Sequence, residues 1–394
     1  MTSFYLQQGH GMLSMNKEFV ENNPTAGVIM SPRNCTREQI ERHSSELHER
    51  NVAVLFDPQF YQPRTERENI LNYPYWNDLN FETVDFATRG ATELCRGVVT
   101  YQLEQLNVSE IILPGRFSNV VSEDWLDTQY AFADTASSMH TGRLIYSTVA
   151  IGPDVVRDRN AFDRLLNEVV SYPVAGIYFI VQSPRDFLVN DELFLYNILD
   201  GLLSIRLSNK KVLLGYANQQ SLIYGTAGVT GFATGNFRNV RSFNPDTFDV
   251  QEQSDRQRAT WYYDGNTLSE FRPQTLGLAY QRGISGRFGP VTEFSSSLIE
   301  AANPAIVPWG EPLAFRHYLT VINRQWSEML NVPGSQRLNY VIGLIEHVGE
   351  QLAQLERDGV RLGDRSFKQI VELTLNALMS FKADRQHDID LLRS

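Results

Sequence analysis

Short apolar runs alternate with amphipathic stretches along most of this chain. Eight runs read as strands: AGVIMSP from Ala26, VAVLFDP from Val52, SEIILPG from Ser109, RLIYSTVAI from Arg143, AGIYFIVQS from Ala175, KVLLGYAN from Lys211, GVTGFATG from Gly228 and ATWYYDG from Ala259. The first six are rich in Val, Ile and Leu without interruption, as parallel strands buried on both faces require. Between them, Phe162, Leu165, Leu166, Val169 and Val170 recur at helical spacing and leave the charged residues on the opposite face; Phe194, Leu195, Ile198, Leu199 and Leu202 repeat the pattern. Strands alternating with covering helices predict an α/β protein, a (β/α)8 TIM-type barrel over residues 1–271. A doubly wound open sheet is the competing arrangement, because glycines break the seventh strand and no clear helix separates it from the eighth.

The pattern changes after residue 271. Residues 272–310, with QRGISGRFGP among them, are Gly-, Ser- and Pro-containing and read as a long loop or linker that could cover the barrel mouth. Residues 311–394 read as a C-terminal helical bundle. One helix sets Phe315, Tyr318, Leu319, Ile322, Trp326 and Met329 on a single face, and the next sets Leu338, Val341, Ile345, Val348, Leu352 and Leu355. These stripes suit helices packed side by side, and also a protein partner or a second copy of the chain.

Composition narrows the class. Of 394 residues, 42% are hydrophobic and 21% charged, enough for a large core. The formal net charge of −11 excludes a uniformly basic nucleic-acid binder but not a local basic site. Cys35 and Cys95 are the only cysteines, too few for a disulfide framework or a Cys-rich zinc site. The opening MTSFYLQQGHGM lacks a basic segment followed by an apolar core, and no membrane-length apolar run occurs, so the expectation is a cytoplasmic protein with no membrane contact.

In such barrels the working residues stand at the carboxyl ends of the strands. Here these are Ser31, Arg33 and Asn34 after the first strand; Asp57, Gln59 and Tyr61 after the second; Gly115, Arg116 and Asn119 after the third; and Ser147 and Thr148 after the fourth. The fifth contributes Gln182, Ser183, Arg185 and Asp186, and the sixth Tyr216 and Asn218. Thr234, Gly235, Asn236, Arg238 and Arg241 follow the seventh, and Asp264 ends the eighth. Five arginines thus face three acids in an acidic chain. A guanidinium fork suits phosphate, so the rim is expected to bind an anion through Arg33, Arg116, Arg185 and Arg238, with Gln182, Tyr216, Asn218 and Asn236 as further ligand contacts. Pairing of these arginines with acids on neighbouring loops is the plainer alternative.

Common chemistries lack their residues. No glutamate stands at a strand end for a glycosidase pair, the seven histidines lie off the strand ends, and Lys210 and Lys211 begin a strand rather than end one. No phosphate-binding glycine loop or nucleophile elbow is present, and no cofactor or metal is implied. Asp57 remains, a carboxylate ending an apolar strand and so a candidate acid, base or hydrogen-bond acceptor. Asp186 and Asp264 are weaker catalytic candidates.

The strand ends resemble the tRNA-guanine transglycosylase barrel over roughly residues 26–241. Asp57 in FDPQFY stands where that family has its base-contacting aspartate in a DSGG-type motif, Val181 and Gln182 in IVQSP where it has VQGG, and Leu214 and Gly215 in LLGYANQQ where it has MGVG. The resemblance implies nucleic-acid or nucleotide binding. The family's nucleophilic aspartate has no counterpart in GFATGNFRN, and its zinc motif of three cysteines and a histidine is missing, so the implied chemistry is altered or lost. Three functions are therefore expected: a phosphate-bearing ligand bound at an arginine-lined mouth; a non-catalytic scaffold subunit docking through its C-terminal helices; and, lower, a sugar or nucleoside hydrolase using Asp57 with Asp186 or Asp264.

Overall fold

A computed structural model describes residues 2–76, 89–184, 187–249 and 259–392. The chain forms two compact units, one of Met1–Pro184, Asn197–Asn218 and Ala227–Glu252, the other of Arg185–Tyr196, Gln219–Thr226 and Gln253–Ser394. The division differs from the expected boundary near residue 271.

The first unit is the (β/α)8 barrel. Its strands are β1 (Phe4–Gln7), β2 (Ala26–Met30), β3 (Ala53–Phe56), β4 (Ile111–Ile112), β5 (Phe117–Ser118), β6 (Ile145–Ile151), β7 (Gly176–Val181), β8 (Lys211–Leu214) and β9 (Gly231–Thr234). Eight of them run in parallel in the order β3-β2-β1-β9-β8-β7-β6-β4, and β5 pairs with β6 as an accessory. The remaining seam, between β3 and β4, is bridged by Ser109, whose N–H donates to Val54 O at 2.8 Å and whose Oγ accepts from Val54 N–H at 3.2 Å. Two expectations change. The strand that opens the barrel is β1, missed because FYLQ is only four residues long and is followed by polar residues. The run from Ala259 belongs to the other unit.

β4 is short, and a side chain supports it. Gln102, fully buried on helix Ala91–Glu104, donates from Nε2 to Ile112 O at 2.8 Å and accepts Ile112 N–H on Oε1 at 3.3 Å. Gln102→Leu would strand both backbone groups away from water, so a loss of about 2 kcal/mol is expected in urea unfolding. A loss under about 0.5 kcal/mol, the usual range for surface changes, would show that the seam does not depend on it.

Large residues fill the barrel because small ones face them. A Cβ on Gly27 would come within 2.8 Å of the Tyr5 ring, one on Gly176 within 2.6 Å of Tyr146, and one on Gly215 within 2.7 Å of Tyr178. Alternation along a strand places side chains two apart on one face, so Tyr5 and Gln7 share the interior. Tyr5 extends to Glu110 at one end, 3.2 Å away, and Tyr178 extends to the carboxyl end of the strands.

The second unit, within residues 259–392, has a hairpin of β10 (Tyr262–Asp264) and β11 (Ser269–Phe271), followed by helices Glu311–Asn331, Gly334–Arg357 and Val371–Leu391. Residues 272–310, expected as a loop, hold helix Pro273–Gln281 and shorter helical turns. Both predicted stripes are buried in the helices that carry them, except Phe315, which is only partly covered. His317 stacks on Tyr262 at 4.7 Å between centroids, with Nε2 2.7 Å from Tyr263 O and Nδ1 2.8 Å from Thr292 Oγ1. Burial lowers its pKa to about 4, so it is a neutral core residue.

Candidate functional site

Asp57 follows β3 and is 1% exposed. Four donors surround its carboxylate. Gln59 N–H donates to Oδ1 at 2.9 Å, and Oδ2 lies 2.7 Å from the Tyr61 hydroxyl, 3.2 Å from that of Tyr216 and 3.3 Å from that of Tyr178. Tyr178 has one proton and lies 3.0 Å from Gln7 Oε1 as well, so it donates to one acceptor at a time. Burial pushes the Asp57 pKa up to about 6, opposed by the hydrogen bonds from Tyr61, Gln59, Tyr216 and Tyr178. Burial also raises all three phenols well above their usual range, so their protons stay in place as donors.

Gln59 connects this centre to the next strand end. Its Oε1 accepts Arg33 N–H at 2.8 Å, and its Nε2 donates to Tyr216 Oη at 3.1 Å and to Ser31 Oγ. Gln59 and Tyr216 both have left-handed backbones, with φ of 54° and 53°. Side chains other than glycine adopt that region at a cost, and such strain concentrates at functional sites.

Aromatic rings cover the centre. Residues 243–248, beyond β9, bring Phe243 to 5.0 Å and Phe248 to 4.9 Å from the Tyr61 centroid, and Phe243 to 5.3 Å from Tyr216. Thr65 Oγ1 holds Phe248 O at 2.5 Å, and Phe243 forms a parallel bridge with Gln182. The rings that cover Asp57 are thus supplied by residues 243–248 of the barrel unit itself.

Arg33 lies above this seal, its guanidinium carbon 5.3 Å from the Phe248 centroid. Burial lowers its pKa to about 10; the neighbouring Tyr216 opposes that shift, and the positive charge of Arg67 adds to it. Among the described residues no carboxylate pairs with Arg33, and the buried Nε atoms of both Arg33 and Arg67 have no hydrogen-bond partner. Burial also lowers the Arg67 pKa, and the carboxylate of Asp249 opposes that shift, so the counter-charge at this rim lies beside Arg67 and not Arg33.

The other predicted residues are dispersed. Arg116 Nη1 is 3.3 Å from Asp124 Oδ2, the plainer alternative realised. Arg238 is exposed, Asn218 and Asn236 are buried, and Gln182 is partly exposed. The Asn236 Oδ1 atom and the Gln7 Nε2 atom are buried with no partner among the described residues. Arg185 and Asp186 lie outside the described residues. Asp264 ends a strand of the hairpin and not of the barrel. It accepts from Gly289 N–H at 2.6 Å and Thr267 Oγ1 at 2.5 Å, and burial raises its pKa to about 7. It ties a turn together.

Tyr178, Arg67, Phe243 and Phe248 join the site without standing at a predicted strand end. Only Tyr178 left a signal, a polar tip inside an otherwise apolar strand. Among the described residues no group of three or more His, Cys, Asp or Glu is placed to hold a metal ion, and no helix is long and apolar enough to cross a membrane. Fold and site together define a (β/α)8 barrel whose mouth holds a buried carboxylate under tyrosines, with two arginines above. No known family's sequence model and no curated protein matches this chain.

Proposed function

We propose that the barrel binds a phosphate-bearing ligand, a nucleotide or a nucleic-acid strand, through Arg33 and Arg67 at its rim. The supporting observation is the Arg33 guanidinium, largely withdrawn from water beside a second arginine and paired with no carboxylate among the described residues. The buried Phe248 ring packs under the Arg33 guanidinium and holds it in place at the rim. Asp57 serves as a positioning group that fixes Tyr61, Tyr216 and, through Gln59, the Arg33 backbone. A transglycosylase-like barrel with altered or lost catalysis is consistent with this role, since the oxygens of Asp57 are occupied by phenols and an amide.

Isothermal titration with nucleoside diphosphates tests the reading. A charge-assisted hydrogen bond to phosphate is worth about 1.5–3 kcal/mol, so Arg33→Ala and Arg67→Ala should each weaken binding about tenfold or more. Arg116→Ala, already ion-paired to Asp124, should change it by less than about twofold. Absence of binding, or equal loss in all three variants, would overturn it.

A second reading, a non-catalytic scaffold subunit, is favoured by the aromatic seal over Asp57. Light scattering on the intact chain separates the two: a mass above the monomer together with no ligand binding would support the scaffold.

A further inference from the structure

The second unit gathers cations from two separate stretches of sequence. Residues 272–287 contain Arg272, Arg282 and Arg287 with no acid among them, and residues 357–368 contain Arg357, Arg361, Arg365 and Lys368 against Asp358 and Asp364. The fold joins these stretches. Arg282 Nη1 donates to Asp358 O at 2.7 Å, and Arg287 Nε lies 2.8 Å from Asp358 Oδ2. Glu270 N–H donates to Arg365 O at 3.1 Å, and Phe367 N–H to Ser269 Oγ at 2.9 Å.

Acids neutralise only part of this cluster. Arg365 pairs with Glu270, Arg287 with Asp358 and Lys368 with Glu356. Arg272, Arg282, Arg357 and Arg361 have no carboxylate partner among the described residues, and all four are exposed. A half-buried indole lies within the cluster. Trp261 sits one step beyond the Tyr262–Phe271 pair of the hairpin, with the Arg365 guanidinium 4.0 Å and that of Arg272 5.0 Å from its ring centroid.

We infer that this face is a docking surface for single-stranded nucleic acid. A strand supplies both features that the face answers: phosphates in series for guanidinium groups spread over two segments, and flat bases to stack on the layer of arginine and tryptophan. A mononucleotide would engage one part of it. An acidic peptide would meet the charge but offer no bases to the indole. The site is independent of the Arg33–Arg67 rim, being built wholly from the second unit.

The experiment uses the full chain and a fluorescein-labelled single-stranded RNA of mixed sequence, followed by anisotropy across a salt series. Wild type should bind with affinity that falls steeply with salt. Arg272→Gln/Arg357→Gln/Arg361→Gln removes exposed side chains without a carboxylate partner, and an unchanged urea-unfolding midpoint checks that the fold is retained. It should weaken binding at least about tenfold and reduce the slope of log K against log salt by about 2, since each phosphate contact on a single strand contributes roughly 0.7. RNA should also quench wild-type tryptophan emission more than that of Trp261→Phe, whereas polyglutamate should not. No salt-dependent binding, an unchanged triple variant, or equal quenching by polyglutamate would each overturn the inference. Arg33→Ala should leave RNA binding to this face intact, which separates its failure from failure of the rim site.

Discussion

Replacing Asp57 by asparagine is expected to make the protein more stable at neutral pH. Burial raises the Asp57 pKa from 3.8 to about 6, so the folded state holds the proton more tightly than the unfolded chain. The contribution of this group to stability is therefore fully present below its unfolded pKa and is lost as pH rises through the folded value. At about 1.4 kcal/mol per unit, the shift corresponds to a penalty of about 3 kcal/mol above pH ~6. Asparagine escapes that penalty, and its Oδ1 can take the Gln59 N–H while its Nδ2 donates to a phenol. Urea unfolding should show Asp57→Asn ahead by about 2–3 kcal/mol near pH 7.5 and level with wild type near pH 4. A variant less stable at both pH values would show that the carboxylate is a structural tie.

The other large effect concerns the space that Tyr178 occupies. In Gly215→Ala the new Cβ would lie 2.7 Å from Tyr178 Cε2 and 2.9 Å from its Oη. The ring must move, and moving it withdraws the hydroxyl from Asp57 and Gln7. A loss of about 3 kcal/mol is expected, at the upper end for overpacking. In a Tyr178→Leu background the same substitution should cost much less, giving a coupling of about 2 kcal/mol in a double-mutant cycle. Additive losses would mean that Gly215 answers to something other than the tyrosine.

The barrel was legible because six of its strands are uninterrupted apolar runs of the kind buried parallel strands require, with a seventh broken by glycines. β1 escaped because four residues ending in glutamine carry too little pattern, although Gln7 proves to be an interior residue that meets Tyr178. The run at Ala259 has the composition of a strand but pairs in an antiparallel hairpin, and composition does not encode the partner. Asp57 could be found from sequence because a carboxylate that ends an apolar strand must lie at the mouth. What binds it could not, since Tyr178 on β7 and Tyr216 just beyond β8 lie more than a hundred residues away in the chain. The arginines show the same limit. Arg33 and Arg116 look alike at strand ends, yet one meets Asp124 and the other Phe248 and Arg67, and only tertiary structure separates them.

A crystal structure grown with a nucleoside diphosphate tests most directly whether Arg33 and Arg67 form an anion site above the buried carboxylate. A phosphate group is expected within hydrogen-bond distance of the Arg33 guanidinium, shared with Arg67. A rim with no bound phosphate, or Arg33 paired instead with a carboxylate of its own chain, would contradict it.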